Sequence, residues 1–189
     1  PGDNPGSAYV ILGSDTRSSA LLSLASLGAQ DGFALEGDAA SDFTGDAVGS
    51  AGDINNDGLD DLVIGAPQAD PNGGESGTSY IVFGDDQGFT SPVSLAGLDG
   101  DDGFSVLGVM AGDKSSTAVS SIGDLNGDAI DELIIGAPYS DVKGNDAGAA
   151  YIVFGSAAAW SASLELSALD GSDGFVLGGA HPGDRFGSS

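Results

Sequence analysis

The chain contains no cysteine. Disulfides, thiolate metal sites and a cysteine nucleophile are therefore all excluded. Cations are nearly as scarce: four Lys plus Arg stand against 29 Asp plus Glu, a formal net charge of −25 at pH 7. Phosphate backbones and anionic lipid surfaces are held by basic residues, so nucleic acid and membrane surfaces are not expected partners. The apolar runs end after a handful of residues, which leaves nothing to insert into a membrane as a helix. No signal peptide is visible, and the chain begins as if already inside a repeat. There is a single histidine, His181, beside Pro182. Neither G-x-S-x-G nor a phosphate loop ending in Gly-Lys-Ser/Thr occurs. No nucleophile and base can be paired, so no catalytic residue is assigned and no enzyme activity is expected.

Hydrophobic residues make up 40% of the chain, enough for a core and too many for an acidic disordered tail. The 33 glycines follow no three-residue period, which excludes collagen. With many Asp and Asn, they indicate numerous turns and hence an all-β chain. The acidic charge promotes solubility by self-repulsion, and part of it is read below as cation ligands.

Three landmarks recur at one ungapped spacing of 71 residues. The Y-V-I-L-G run at Tyr9–Gly13 returns at Tyr80–Gly84 and Tyr151–Gly155. The D-G-F segment at Asp31–Phe33 returns at Asp102–Phe104 and Asp173–Phe175. D-I-N-N-D-G-L-D-D-L-V-I-G-A-P at Asp53–Pro67 returns as D-L-N-G-D-A-I-D-E-L-I-I-G-A-P at Asp124–Pro138. Four strands are predicted per period. The first is at Ala47–Ala51 and Ala118–Ile122. The second, at Leu62–Gly65 and Leu133–Gly136, is apolar throughout, as in a strand buried on both faces. The third is at Ala8–Leu12, Ser79–Phe83 and Ala150–Phe154. The fourth is shorter, at Phe33–Leu35, Phe104–Leu107 and Phe175–Leu177.

The leucine tracts Ser23–Leu27, Ser94–Leu98 and Glu165–Leu169 are read as packed loops, because they are short and Pro92 sits near the start of one of them. Four strands in such a period indicate one β-propeller-type blade of four antiparallel strands per repeat, with about 2.7 repeats present. A β-sandwich gives no reason for an ungapped repeat. The expected organisation is a single region 1–189: a partial blade 1–37, full repeats 38–108 and 109–179, and the start of a next blade at 180–189. Pro1 falls just before a third strand, and Gly183–Ser189 aligns with Gly112–Ala118, so incomplete blades are expected at both ends. Unpaired edges there invite self-association into a ring or filament, or pairing with other blades of a longer propeller.

Alternate residues of a tight acidic turn can aim oxygens at one centre. In the first loop these are Asp53, Asn55, Asp57, the carbonyl of Leu59, and Asp61, with Gly58 at the turn. Oxygen-only ligands select Ca²⁺, and Mg²⁺ is disfavoured because it keeps several waters. An EF-hand would need Glu at position twelve, where Ile64 and Ile135 stand, so position nine must close the loop. The second loop offers Asp124, Asn126, Asp128, the carbonyl of Ile130, and Glu132. Ala129 replaces the turn glycine and Glu132 the closing Asp, so this site is expected to be the weaker of two. Solvated Asx turns are the competing reading of such residues. Asp42, Asp113 and Asp184 also recur at the period and read as turn residues. Trp160 and Tyr139 occupy unrelated positions in the repeat and read as packing residues rather than a sugar-stacking face.

These residues resemble FG-GAP repeats, which build the β-propeller head of integrin α chains and many bacterial surface proteins. The "GAP" element stands as Gly65-Ala66-Pro67 and Gly136-Ala137-Pro138. The "FG" element survives as Phe186-Gly187 and is replaced by Thr44-Gly45 and Ser115-Ser116. The resemblance implies four-stranded blades, calcium in the hairpin between the first two strands, and an extracellular or cell-surface setting. The expected function is a calcium-stabilised structural or adhesion module, with a protein or a glycan as candidate ligand; ligand recognition by integrin heads is not carried over. A propeller attached to an enzyme, or one binding carbohydrate, is the alternative. Integrin-like heads have more blades than this chain supplies.

Overall fold

A computed structural model describes residues 5–13 and 21–189. The expected partial blade at 1–37 thus includes two stretches, 1–4 and 14–20, outside the described residues. The chain is all-β: twelve strands and three single 3₁₀ turns, with no α-helix among the described residues.

The strands are β1 (Ser7–Ile11), β2 (Gly32–Glu36), β3 (Ala47–Gly52), β4 (Asp61–Ala66), β5 (Thr78–Val82) and β6 (Val93–Ser94), followed by β7 (Gly103–Leu107), β8 (Ala118–Gly123), β9 (Glu132–Ala137), β10 (Ala149–Val153), β11 (Ser163–Glu165) and β12 (Gly174–Gly178). They form three open sheets, in the orders β1-β2-β6, β11-β7-β5-β4-β3 and β12-β10-β9-β8. Within each period the four predicted strands pair antiparallel. The blade reading therefore holds at the level of the sheet.

Two features add to the expected topology. The leucine tracts are not plain loops: each contains one 3₁₀ turn, at Leu24–Ser26, Leu95–Gly97 and Leu166–Ala168. The turns at Leu95 and Leu166 bury those leucines, which drives the tract to coil inward. The residues just before those two turns, β6 and β11, pair parallel with β2 and β7, the outer strands of the preceding repeat. Each repeat thus lends a short strand backwards, and the blades are stitched together by backbone hydrogen bonds. At the other end of the chain, Gly183–Ser189 makes a single bridge, Gly148↔Phe186.

The core explains why β4 and β5 are apolar without alternation. Val63 and Ile81 face one cluster, together with Phe104, Val106, Leu133, Ile135 and Tyr151. Their neighbours Ile64, Tyr80 and Val82 face the other, with Phe33, Leu35, Leu95 and Leu98. A middle sheet with cores on both sides cannot afford a polar face. Between blades, β3 lies beside β8: a Cβ built on Gly49 would sit 3.3 Å from the Val119 carbonyl oxygen.

The glycine of each G-A-P element has a specific reason. A Cβ on Gly65 would lie 2.4 Å from the Ser116 carbonyl oxygen, and one on Gly136 would lie 2.0 Å from that of Gly187. Ser116 and Gly187 are the second residues of the "FG" positions in the following repeat, at φ +74° and +86°. The two sequence signatures are thus two sides of one contact between blades. Where Ser116 replaces glycine, its hydroxyl meets that of Ser79 at 2.6 Å in a buried pair.

Candidate metal centre

Each acidic loop joins the first two strands of its blade and begins at a bulge. The β3–β4 register shifts between Ser50 and Gly52, and Gly52 stands opposite Asp61. The β8–β9 register repeats this between Ser121 and Gly123, opposite Glu132. Gly52 and Gly123 take φ +70° and +69°, and the hydroxyls of Ser50 and Ser121 accept their N–H groups. A bulge adds a residue and bends the bulged strand, and here it marks the start of each loop.

In the first loop, Asp53 accepts the N–H groups of Asp57 and Gly58 at 3.0 Å each. Asn55 Oδ1 accepts Asp57 N–H at 2.9 Å, and Asp57 Oδ1 accepts Leu59 N–H at 2.8 Å. Asn55 Nδ2 donates to the other Asp57 oxygen at 2.9 Å. Asp61 is fully buried. Its carboxylate accepts Ile54 N–H at 3.0 Å and Gly84 N–H at 2.8 Å, tying the loop to the end of β5. Burial pushes the Asp61 carboxyl up to about 6; those two hydrogen bonds oppose the rise, and the charges of Asp57 and Asp53 add to it.

The second loop repeats the pattern with two differences. Asp124 accepts N–H groups from Gly127, Asp128 and Ala129; Asn126 accepts from Asp128, and Asp128 from Ile130. The first difference lies at the closing residue. The longer Glu132, also fully buried, reaches back to the Leu125 N–H, as Asp61 does to that of Ile54, and in addition accepts the N–H and the side-chain amide of Asn126. The second difference is in how positive φ is met. Both loops need it at positions four and six: Asn56 (+59°) and Gly58 (+91°) in the first, Gly127 (+84°) and Ala129 (+71°) in the second. Ala129 does occupy the left-handed conformation expected from the missing glycine.

All five predicted residues of each loop therefore share one loop. The carboxylates are drawn onto backbone N–H groups, and among the described residues no three acidic or imidazole side chains form a cluster able to hold a metal by themselves. The donor set nevertheless fits a hard cation that takes mixed carboxylate, amide and carbonyl oxygens. In the first loop each carboxylate oxygen accepts one N–H and keeps a second lone pair, whereas in the second Asp124 Oδ1 and Glu132 Oε2 each already accept two. Asp61 is desolvated within reach of two like charges, and among the described residues no ion pair neutralises any loop carboxylate.

Other predicted positions resolve clearly. Asp42 and Asp113 are buried turn residues, each returning an N–H to the carbonyl three residues back, at Ala39 and Met110. Asp184 does the same with His181, whose own N–H donates to the Asp184 carboxylate. His181 is exposed. Tyr139 lies under two cations, 4.8 Å from the Arg185 guanidinium and 5.7 Å from Lys114 Nζ.

Trp160 stacks on Phe104 with centroids 4.1 Å apart and planes 9° apart. Phe89 stacks on Phe33 in the same way at 4.3 Å. Phe89 and Trp160 stand one period apart and clamp successive D-G-F phenylalanines. The sequence reading missed this pair, although the period itself was the signal that could have found it.

Against known proteins, the FG-GAP repeat model matches residues 44–82 and 116–153, each span taking in one acidic loop and the strands on either side. Human integrin alpha-6 is 36% identical over 105 residues, 56% of this chain and 8% of that protein. Chinese hamster (Cricetulus griseus) integrin alpha-3 is 31% identical over 105 residues, 56% of this chain and 9% of that protein. Bovine phosphatidylinositol-glycan-specific phospholipase D is 33% identical over 109 residues, 57% of this chain and 13% of that protein. The chain thus spans only 8 to 13% of the length of these curated relatives.

Proposed function

We propose that this chain, which carries FG-GAP repeats at residues 44–82 and 116–153, is a calcium-stabilised structural or adhesion module of an extracellular or cell-surface protein. The observation that carries the reading is the pair of loops Asp53–Asp61 and Asp124–Glu132. In each, oxygen donors alternate around one turn, and a fully buried carboxylate closes it without a cationic partner among the described residues. Asp53, Asn55, Asp57, Asp61 and the Leu59 carbonyl would hold one ion. Asp124, Asn126, Asp128, Glu132 and the Ile130 carbonyl would hold the other. Bound calcium supplies charge neutralisation to carboxylates that otherwise repel one another.

The role of these residues is scaffolding: they fix the hairpin between the first two strands so that the faces of β4 and β9 meet their neighbours. Integrin alpha relatives support the adhesion side of the reading. The match to a phospholipase D supports the second reading, a propeller that accompanies an enzyme. Among the described residues no helix is long and apolar enough to cross a membrane. Among the described residues β1 pairs with β2 alone, and Tyr9 and Ile11 on it are about half exposed. That edge is the surface for a further strand, from another copy or from other blades of the same protein.

Calorimetric calcium titration tests the reading. Two ions per chain are expected, one lost in Asp57→Ala and the other in Asp128→Ala, with the Asp124–Glu132 site the weaker. Absence of uptake would overturn it. Light scattering in calcium tests self-association, and a monodisperse monomer would contradict that part.

A further inference from the structure

The two acidic loops look equivalent in sequence but not in their surroundings. Ile54, the second residue of the first loop, is fully buried, whereas its counterpart Leu125 is 56% exposed. The first loop is covered by the next blade, and the covering residue is Asp131. Its carboxylate accepts Asp53 N–H at 3.1 Å, and its own N–H points at the Asp53 carbonyl at 3.4 Å. Beside it, Ser156 N–H donates to the Ile54 carbonyl at 2.9 Å. The fit is close: a Cβ on Gly52 would fall 2.0 Å from Asp131 Oδ2, while the equivalent Gly123 has nothing within 4 Å. Asp131 is not among the oxygens of its own loop. It stands between two residues that are, Ile130 and Glu132.

We propose that Asp131 is a positioning residue for the first loop, and that the two loops are coupled through it across the blade interface. The inference rests on the calcium reading above. Asp53 is the first donor of its loop, and both its N–H and its carbonyl face one residue of the neighbouring loop. Whatever orders Ile130–Glu132 therefore orders Asp53. Outer-shell partners that orient a ligand typically change metal affinity by about 10- to 100-fold when removed. Coupling between two binding events is reciprocal, so each loop must affect the other by the same factor.

Calcium titration of single-site backgrounds tests this. Asp128→Ala leaves the first loop to titrate alone. In that background Asp131→Ala weakens the remaining site by about tenfold or more. Asp131→Asn, whose amide oxygen still accepts the Asp53 N–H, retains most of the affinity. Asp128→Ala by itself weakens the first loop, Asp57→Ala weakens the second by the same factor, and both effects vanish when Asp131 is Ala. In chelator, amide exchange at Asp53 speeds up in Asp131→Ala, a readout that needs no calcium.

Site affinities unchanged within about twofold in Asp131→Ala, or an Asn variant no better than Ala, overturn the coupling while leaving calcium binding intact. Failure of the unmodified chain to take up calcium overturns both readings.

Discussion

At the scale of the residue, the two acidic loops meet the same backbone demand with different side chains. Positions four and six both lie at positive φ, filled by Asn56 and Gly58 in one loop and by Gly127 and Ala129 in the other. Asn tolerates that region, whereas alanine pays a steric penalty for it. Ala129→Gly is therefore expected to stabilise the chain by about 1 kcal/mol, and Gly58→Ala to destabilise it by about as much. Urea unfolding in chelator measures both, and a destabilised Ala129→Gly would contradict the account.

Buried carboxyls give a second test at this scale. Burial raises the Asp42 and Asp113 carboxyls, against opposing hydrogen bonds from Ala39 and Met110. A folded pKa above the unfolded value means that the folded state holds the proton more tightly. The contribution is fully present below the unfolded carboxylate pKa and is lost as pH rises through the folded one. Metal-free stability should therefore fall as pH climbs through and above the ordinary carboxylate range, and the double variant Asp42→Asn, Asp113→Asn should flatten that dependence. An unchanged pH profile in the variant would rule this cause out.

At the scale of the element, the interlock between G-A-P and "FG" positions carries the blade interface. Gly65→Ala must displace the Ser116 backbone, 2.4 Å from the new Cβ. It should cost about 2 kcal/mol or more in chemical denaturation. Gly74→Ala has open space around it and no positive φ, so it serves as the near-neutral control. Equal effects of the two substitutions would remove the interlock from the account.

Much at this scale was legible in the sequence. The unbroken apolar run Leu62–Gly65 implied a strand buried on both faces, because only burial on both sides removes the polar alternation. Spacing fixed the hairpin position of both loops. The rest depended on neighbours. The equivalence of Phe89 and Trp160 is hidden from residue identity, because the Phe of one repeat becomes Trp in the next. The short strands β6 and β11 pair with the preceding repeat, and a two- or three-residue segment carries no periodicity to read. Nothing within either loop distinguishes Ile54 from Leu125. Their different burial is set by what the next blade lays over them.

At the scale of the whole molecule, a net charge of −25 is a standing cost to compaction. Two loops that each gather carboxylates place part of that charge where cations can offset it. Ligand binding to the folded state alone adds stability in proportion to the logarithm of saturation, about 2.7 kcal/mol at a hundredfold excess over Kd. The single cleanest measurement is the thermal unfolding midpoint followed against calcium concentration for the unmodified chain, Asp57→Ala, Asp128→Ala and the double variant. The account predicts a midpoint that climbs with calcium and less with magnesium, climbs less in each single variant, and stays flat in the double. A midpoint indifferent to calcium, or one that climbs undiminished in the double variant, would contradict it.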